Sequence, residues 1–146
     1  MLGMVYRLFD AIRRRYSSGN SGPVGEDLAH RYLRRRGCVI VARNYRTRSG
    51  AGEIDIVAWH GPTLVFVEVK TRRTAEYGQP ESAVDAEKRA RIVIGARDYA
   101  RRSSVPFGIT RFDVVSVLLE PRHQIEWLQN AFHAYSETAG AGARTL

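Results

Sequence analysis

Residues 52–70 read Gly-Glu-Ile-Asp-Ile-Val-Ala-Trp-His-Gly-Pro-Thr-Leu-Val-Phe-Val-Glu-Val-Lys, which specifies two strands joined by a tight turn. Glu53 to Trp59 is rich in apolar residues, many of them β-branched, and carries two carboxylates. His60-Gly61-Pro62 punctuates, and Leu64 to Lys70 forms the second strand. Side chains alternate faces along a strand, so Ile54, Ile56 and Ala58 are expected on one face, with Glu53, Asp55, Val57 and Trp59 on the other. In the second strand Glu68 and Lys70 share a face with Leu64 and Phe66, opposite Val65, Val67 and Val69. Charges stranded singly in such an apolar pair would each cost several kcal/mol, roughly. Grouped around a divalent cation, two carboxylates compensate one another, and hard cations such as Mg²⁺ take one or two carboxylates and leave other positions to water and phosphate.

Asp55, Glu68 and Lys70 therefore supply what phosphodiester hydrolysis requires: carboxylates to hold a cation and an ammonium near the attacking water. The backbone carbonyl of Val69 is a further oxygen ligand in reach of the same place. Lysine suits this role better than arginine, because burial can lower its pKa. The chain has 21 arginines and only two lysines, Lys70 and Lys88, so a lysine in this strand suggests that its chemistry is required. The plainer reading of Glu68 and Lys70 is a surface ion pair on one face of a strand. Glu53 reads as rim rather than ligand, and Asp113 as a partner of Arg111 or Arg91. His30, His60, His123 and His133 lack metal-ligand spacing and are assigned no role.

Working outward, 146 residues with 44% hydrophobic content bound a single domain with a core of its own. No apolar run reaches the ~18 residues of a membrane span, so stable membrane insertion is not expected. One cysteine, Cys38, excludes an internal disulfide and a cysteine-based zinc cluster, and it fits a cytoplasmic location as a buried, inert thiol. The net charge of +8 belongs wholly to the first third: through Gly50 there are 11 basic and 3 acidic residues, and beyond it 12 of each. Such a field suits a polyanion, nucleic acid before an anionic membrane, or simply a solvated arginine-rich face.

Residues 1–22 read as a basic amphipathic arm and linker, 23–133 as the folded domain, and 134–146 as a disordered tail. Pro23 to Arg36 has a helical stripe of Val24, Leu28, Tyr32 and Leu33, ended by Gly37. Glu26 and Asp27 fall in its first turn, where acids are ordinary, and Arg31, Arg34, Arg35 and Arg36 crowd its second half. Cys38 to Tyr45 is a strand and Arg46 to Gly52 a basic loop. After the central pair, Pro80 to about Ala100 forms a long helix; residues 109–119 form a fourth strand and Gln124 to Leu128 a short fifth. The order predicts an α/β sandwich with a mixed sheet of about five strands flanked by helices.

Ile54-Asp55 followed by Glu68-Val69-Lys70 resembles the PD-(D/E)XK nuclease superfamily, without the leading proline of its motif. A more specific likeness, over roughly Pro23 to Phe132, is to the small YraN-type proteins, related to archaeal Holliday-junction resolvases. It is carried by Gly25-Glu26, Gly52-Glu53-Ile54-Asp55-Ile56-Val57-Ala58, Val65-Phe66-Val67-Glu68-Val69-Lys70-Thr71-Arg72, Ala83-Val84 with Lys88, and Phe112-Asp113-Val114-Val115. The resemblance implies a restriction-endonuclease-like three-layer sandwich and a Mg²⁺- or Mn²⁺-dependent endonuclease acting on DNA, with branched or structured DNA as substrate. Asp55, Glu68, the Val69 carbonyl and Glu26 would serve the metal, and Asp55, Glu68, Lys70 and Glu26 the catalysis. Gln79 and Lys88 would lie near the site on the following helix. Arg31, Arg34, Arg35, Arg46, Arg48 and Arg72 would lie along phosphates. Resolvases of this type act as symmetric dimers, so a homodimer is the implied assembly. The rival reading is a nucleic-acid-binding module of the same fold without turnover, and a third is a membrane-apposed adaptor using residues 1–15.

Overall fold

A computed structural model describes residues 21–75 and 86–134. Helix α1 spans Ser21–Arg35, strands β1, β2 and β3 span Val39–Arg46, Glu53–His60 and Thr63–Arg72, and helix α2 spans Ala86–Arg102. A 3₁₀ turn at Phe107–Ile109 leads into β4, Thr110–Leu118, and β5 is Gln124–Phe132. The strands form one sheet in the order β1-β2-β3-β4-β5. Every pairing is antiparallel except β3 with β4, whose parallel register requires the crossover that carries α2.

Alternation along β3 splits the core into two layers. Val65 and Val67 pack with Ala29 and Leu33 of α1, and with Ile56, Ala58, Val115 and Val117. Leu64 and Phe66 pack with Ile92 and Ala96 of α2, and with Val57, Phe112, Val114 and Phe132. The helices therefore cover opposite faces of a mixed sheet: the α/β sandwich expected from the order of elements, in three layers.

Three local expectations need correction. Ile54 does not share a layer with Ile56 and Ala58; it packs with Val57 against α2. Pairing between β2 and β3 runs only from Ile56 to His60, so alternation need not continue through Asp55. Helix α1 begins at Ser21, two residues early, which moves Glu26 and Asp27 out of the first turn. Strand β5 continues to Phe132 instead of stopping at Leu128, passing a register shift opposite Phe112/Val114 and a left-handed Asn130 (φ 55°).

Asp113 holds that irregularity together. Its carboxylate is fully buried and accepts hydrogen bonds from Asn130 N–H, Trp127 Nε1–H and the Arg111 guanidinium, each at 2.9 Å. Arg111 Nη2 also donates to His60 Nδ1 at 2.9 Å, which places the neutral ring's proton on Nε2. Asp113 thus pairs with Arg111 and not with Arg91.

Candidate functional site

Where β2 parts from β3, Asp55 takes over from the backbone ladder: its Oδ2 accepts the Val69 N–H at 2.8 Å. That bond lays the Asp55 carboxylate across β3 at the residue between Glu68 and Lys70. Glu68 lies on the α2 side of β3 and is only 6% exposed. Burial is the main cause that pushes its carboxyl well above the usual range, and the neighbouring Asp55 charge is the next; Lys88 pulls the other way.

Helix α2 brings a cation to this place. Lys88 Nζ lies 3.2 Å from Glu68 Oε1 and 3.3 Å from Glu53 Oε1, while Arg91 Nη2 lies 3.1 Å from Glu53 Oε2. The side chains of Glu53 and Lys88 are 14% and 12% exposed, so neither is a rim or solvated charge. Spacing held a usable signal for this part of the network: Lys88 and Arg91 stand three apart on one helix face, and Glu53 two before Asp55 on a strand.

The second carboxylate oxygen of Glu68, Oε2, is buried and has no hydrogen-bond partner. A buried acceptor left without a donor is costly, and beside a second carboxylate it fits a cation better than a hydrogen bond. Among the described residues no three His, Cys, Asp or Glu side chains converge as a metal cluster. The two carboxylates offer oxygen donors, the kind preferred by Mg²⁺ or Mn²⁺ rather than by zinc.

The remaining candidates divide by position. Gly25 sits so close to Thr71 that an added Cβ would meet Thr71 Oγ1 at 1.8 Å, which pins the start of α1 to the residue after Lys70. Glu26 therefore stands at the site end of the sheet, where its Oε2 lies 3.7 Å from Arg43 Nη2 of β1. Arg31, Arg34 and Arg35 are exposed but farther along α1, about 9 to 15 Å beyond Gly25 at the helical rise. Arg46 faces Glu53 in register, and Arg48 follows it in the β1–β2 loop. That loop is braced by Thr47, which exchanges bonds with Gly52, and by Gly52 against the backbone of Gly95 in α2. Arg72, partly buried, ends β3. The structure thus gathers Arg46, Arg48 and Arg72 at the site end and sets Arg31, Arg34 and Arg35 toward the opposite one. Gln79, Ala83 and Val84, like the N-terminal arm and most of the C-terminal tail, lie outside the described residues.

A helix, three antiparallel strands, a crossover helix and a parallel strand, with the Asp55 carboxylate of β2 set against the Glu68-Val69-Lys70 stretch of β3, define an α/β sandwich with a mixed sheet. The chain belongs to the Uncharacterised protein family UPF0102, whose model matches residues 25–117. A UPF0102 protein of Solibacter usitatus is 58% identical over 132 residues, covering 90% of this chain and all of that one. One from Rhodococcus opacus is 47% identical over 76% of this chain and 94% of its own length, and one from Dictyoglomus turgidum is 41% identical over 76% and 95%. A solved Holliday junction resolvase of Archaeoglobus fulgidus aligns at 22% identity over 77% of this chain and 78% of that one, with a TM-score of 0.42. Among the described residues, no helix is long and apolar enough to cross a membrane.

Proposed function

We propose that the chain is a divalent-cation-dependent nuclease that hydrolyses DNA phosphodiesters, with branched or otherwise structured DNA as its substrate. The observation that carries this reading is the buried, unpartnered Oε2 of Glu68 beside Asp55. Asp55, Glu68 and the Val69 carbonyl would hold Mg²⁺ or Mn²⁺, which when bound supplies charge to the phosphate and lowers the pKa of water. Lys70, on the face of β3 that carries Glu68, orients the attacking water. Glu26, at the start of α1, serves as the outer acid. Arg46, Arg48 and Arg72 hold the phosphates beside the scissile bond, and Arg31, Arg34 and Arg35 those farther off. Hydrolysis adds water across one P–O bond, leaving a phosphate monoester on one fragment and a hydroxyl on the other.

The test uses labelled four-way junction, flap, single-stranded and linear duplex DNA with Mg²⁺ or Mn²⁺. Asp55→Asn and Lys70→Ala run in parallel, each checked for fold by circular dichroism. Cutting by the unaltered chain, lost in both variants, supports the nuclease and ranks its substrates. Salt-sensitive binding without cutting, equal in all three proteins, supports a nucleic-acid-binding module instead.

A further inference from the structure

Lys88 stands in an unusual place for a lysine, between one oxygen of Glu53 and one of Glu68, at 3.3 and 3.2 Å, with nearly nine-tenths of its side chain covered. The two carboxylates differ at their other oxygen. Glu53 Oε2 is bound by Arg91, whereas Glu68 Oε2 is buried with no hydrogen-bond partner. Glu68 therefore bridges two cation positions, one at Oε1 that Lys88 fills and one at Oε2, next to Asp55, that calls for a cation. A carboxylate presenting one oxygen to each of two neighbouring positions is the arrangement by which paired metal ions, ~3.5–4 Å apart, share a ligand.

We propose that the Lys88 ammonium is a built-in cation, standing between Glu53 and Glu68 where a second divalent ion would otherwise sit, so that each chain takes up a single divalent ion at Asp55 and Glu68 Oε2. This rests on the reading of Asp55 and Glu68 as cation ligands and adds the number of ions and what sets it. A hard cation seeks oxygen donors. With Lys88 in place, Glu53 Oε1 and Glu68 Oε1 are already engaged by an ammonium tethered to α2, and an incoming ion would have to displace it. With a neutral side chain of similar length there, the tethered ammonium no longer competes with an incoming ion for these two oxygens. Arginine, which keeps the charge, keeps them engaged.

The test counts Mn²⁺ bound by the full chain, from free Mn²⁺ measured by electron paramagnetic resonance during titration. The unaltered chain is expected to bind one Mn²⁺. Lys88→Met is expected to bind two, with the broadened spectrum of a coupled Mn²⁺ pair. Lys88→Arg is expected to bind one, and Glu53→Gln added to Lys88→Met to return the count to one. Two ions on the unaltered chain overturn the inference without any variant. A single ion with an unchanged spectrum in a folded Lys88→Met also overturns it, while leaving the cation site itself intact. No Mn²⁺ bound by the unaltered chain overturns both the site and this inference.

Discussion

At the scale of single residues, the site trades stability for readiness. Burial and the Asp55 charge favour the neutral form of Glu68, so the folded, metal-free chain holds that proton more tightly than the unfolded chain does. The resulting stability is fully present below the ordinary glutamate range and is lost as pH climbs through the raised folded value. Thermal unfolding without metal is therefore expected to shift to lower temperature as pH rises through that window. Glu68→Gln should flatten this part of the dependence and, at neutral pH, stabilise the metal-free chain by on the order of 1 kcal/mol. Mn²⁺ should raise the midpoint of the unaltered chain and leave that of the variant unmoved. Asp113 is the contrasting buried carboxylate, satisfied on both oxygens. Asp113→Ala strands Arg111 and frees the β5 irregularity, and urea unfolding should show a loss of roughly 3–5 kcal/mol. Asp55, Glu68 and Lys70 are legible in the sequence because a strand's period of two makes an acid among β-branched residues stand out. The Glu53–Lys88–Arg91 network is legible only in part: spacing places Lys88 and Arg91 on one helix face, but their meeting with Glu53 depends on how α2 packs.

Helix α2 meets the β1–β2 loop closely at Gly52 and Gly95, and that closeness helps to set the site's frame. A Cβ on Gly52 would lie 2.5 Å from the Gly95 backbone nitrogen, an obstruction no side-chain rotation relieves. A Cβ on Gly95 would approach the flexible Ile54 side chain at 3.0 Å and the Glu53 backbone nitrogen at 3.2 Å. Gly52→Ala is expected to cost about 1–3 kcal/mol by pushing α2 off β2. Gly95→Ala should cost less, because alanine gains ~1 kcal/mol over glycine inside a helix. Paired thermal melts decide the order; a larger loss for Gly95→Ala would refute it. Boundaries were readable to within two residues for α1 and for β2 and β3. The extent of β5 was not, because Gln129-Asn130 breaks the apolar pattern; the strand passes its register shift where Asp113 accepts from Asn130 N–H and pairs again at Phe132 with Phe112. The layer of Ile54 was hidden for a similar reason: a side chain, not the backbone, makes the link at Asp55.

For the molecule at large, the arginines of the first third that lie among the described residues divide between two ends of one sheet, those late on α1 and those at the β1–β2 loop, a separation that composition alone does not reveal. Each arginine that meets a phosphate should contribute about 0.9 to the slope of log affinity against log salt on duplex DNA. Arg46→Ala with Arg48→Ala is therefore expected to lower that slope by close to two such contributions and to weaken cutting. Arg34→Ala with Arg35→Ala should lower the slope similarly with less effect on the rate of cutting once DNA is saturating. Equal loss of rate in both pairs would show that the far end also shapes the site.

The parallel union of β3 with β4 has a consequence for how the newly made chain assembles. The β2–β3 hairpin can close locally, bringing Asp55 beside Val69, but β4 arrives only after the whole α2 crossover has been laid down. Until then one flank of β3, running through Val65, Phe66 and Val67, offers an open row of backbone donors and acceptors to any neighbouring chain. The strand that carries Glu68 in the finished protein is thus the one most exposed to aggregation during synthesis, and the last third of the polypeptide is what shields it.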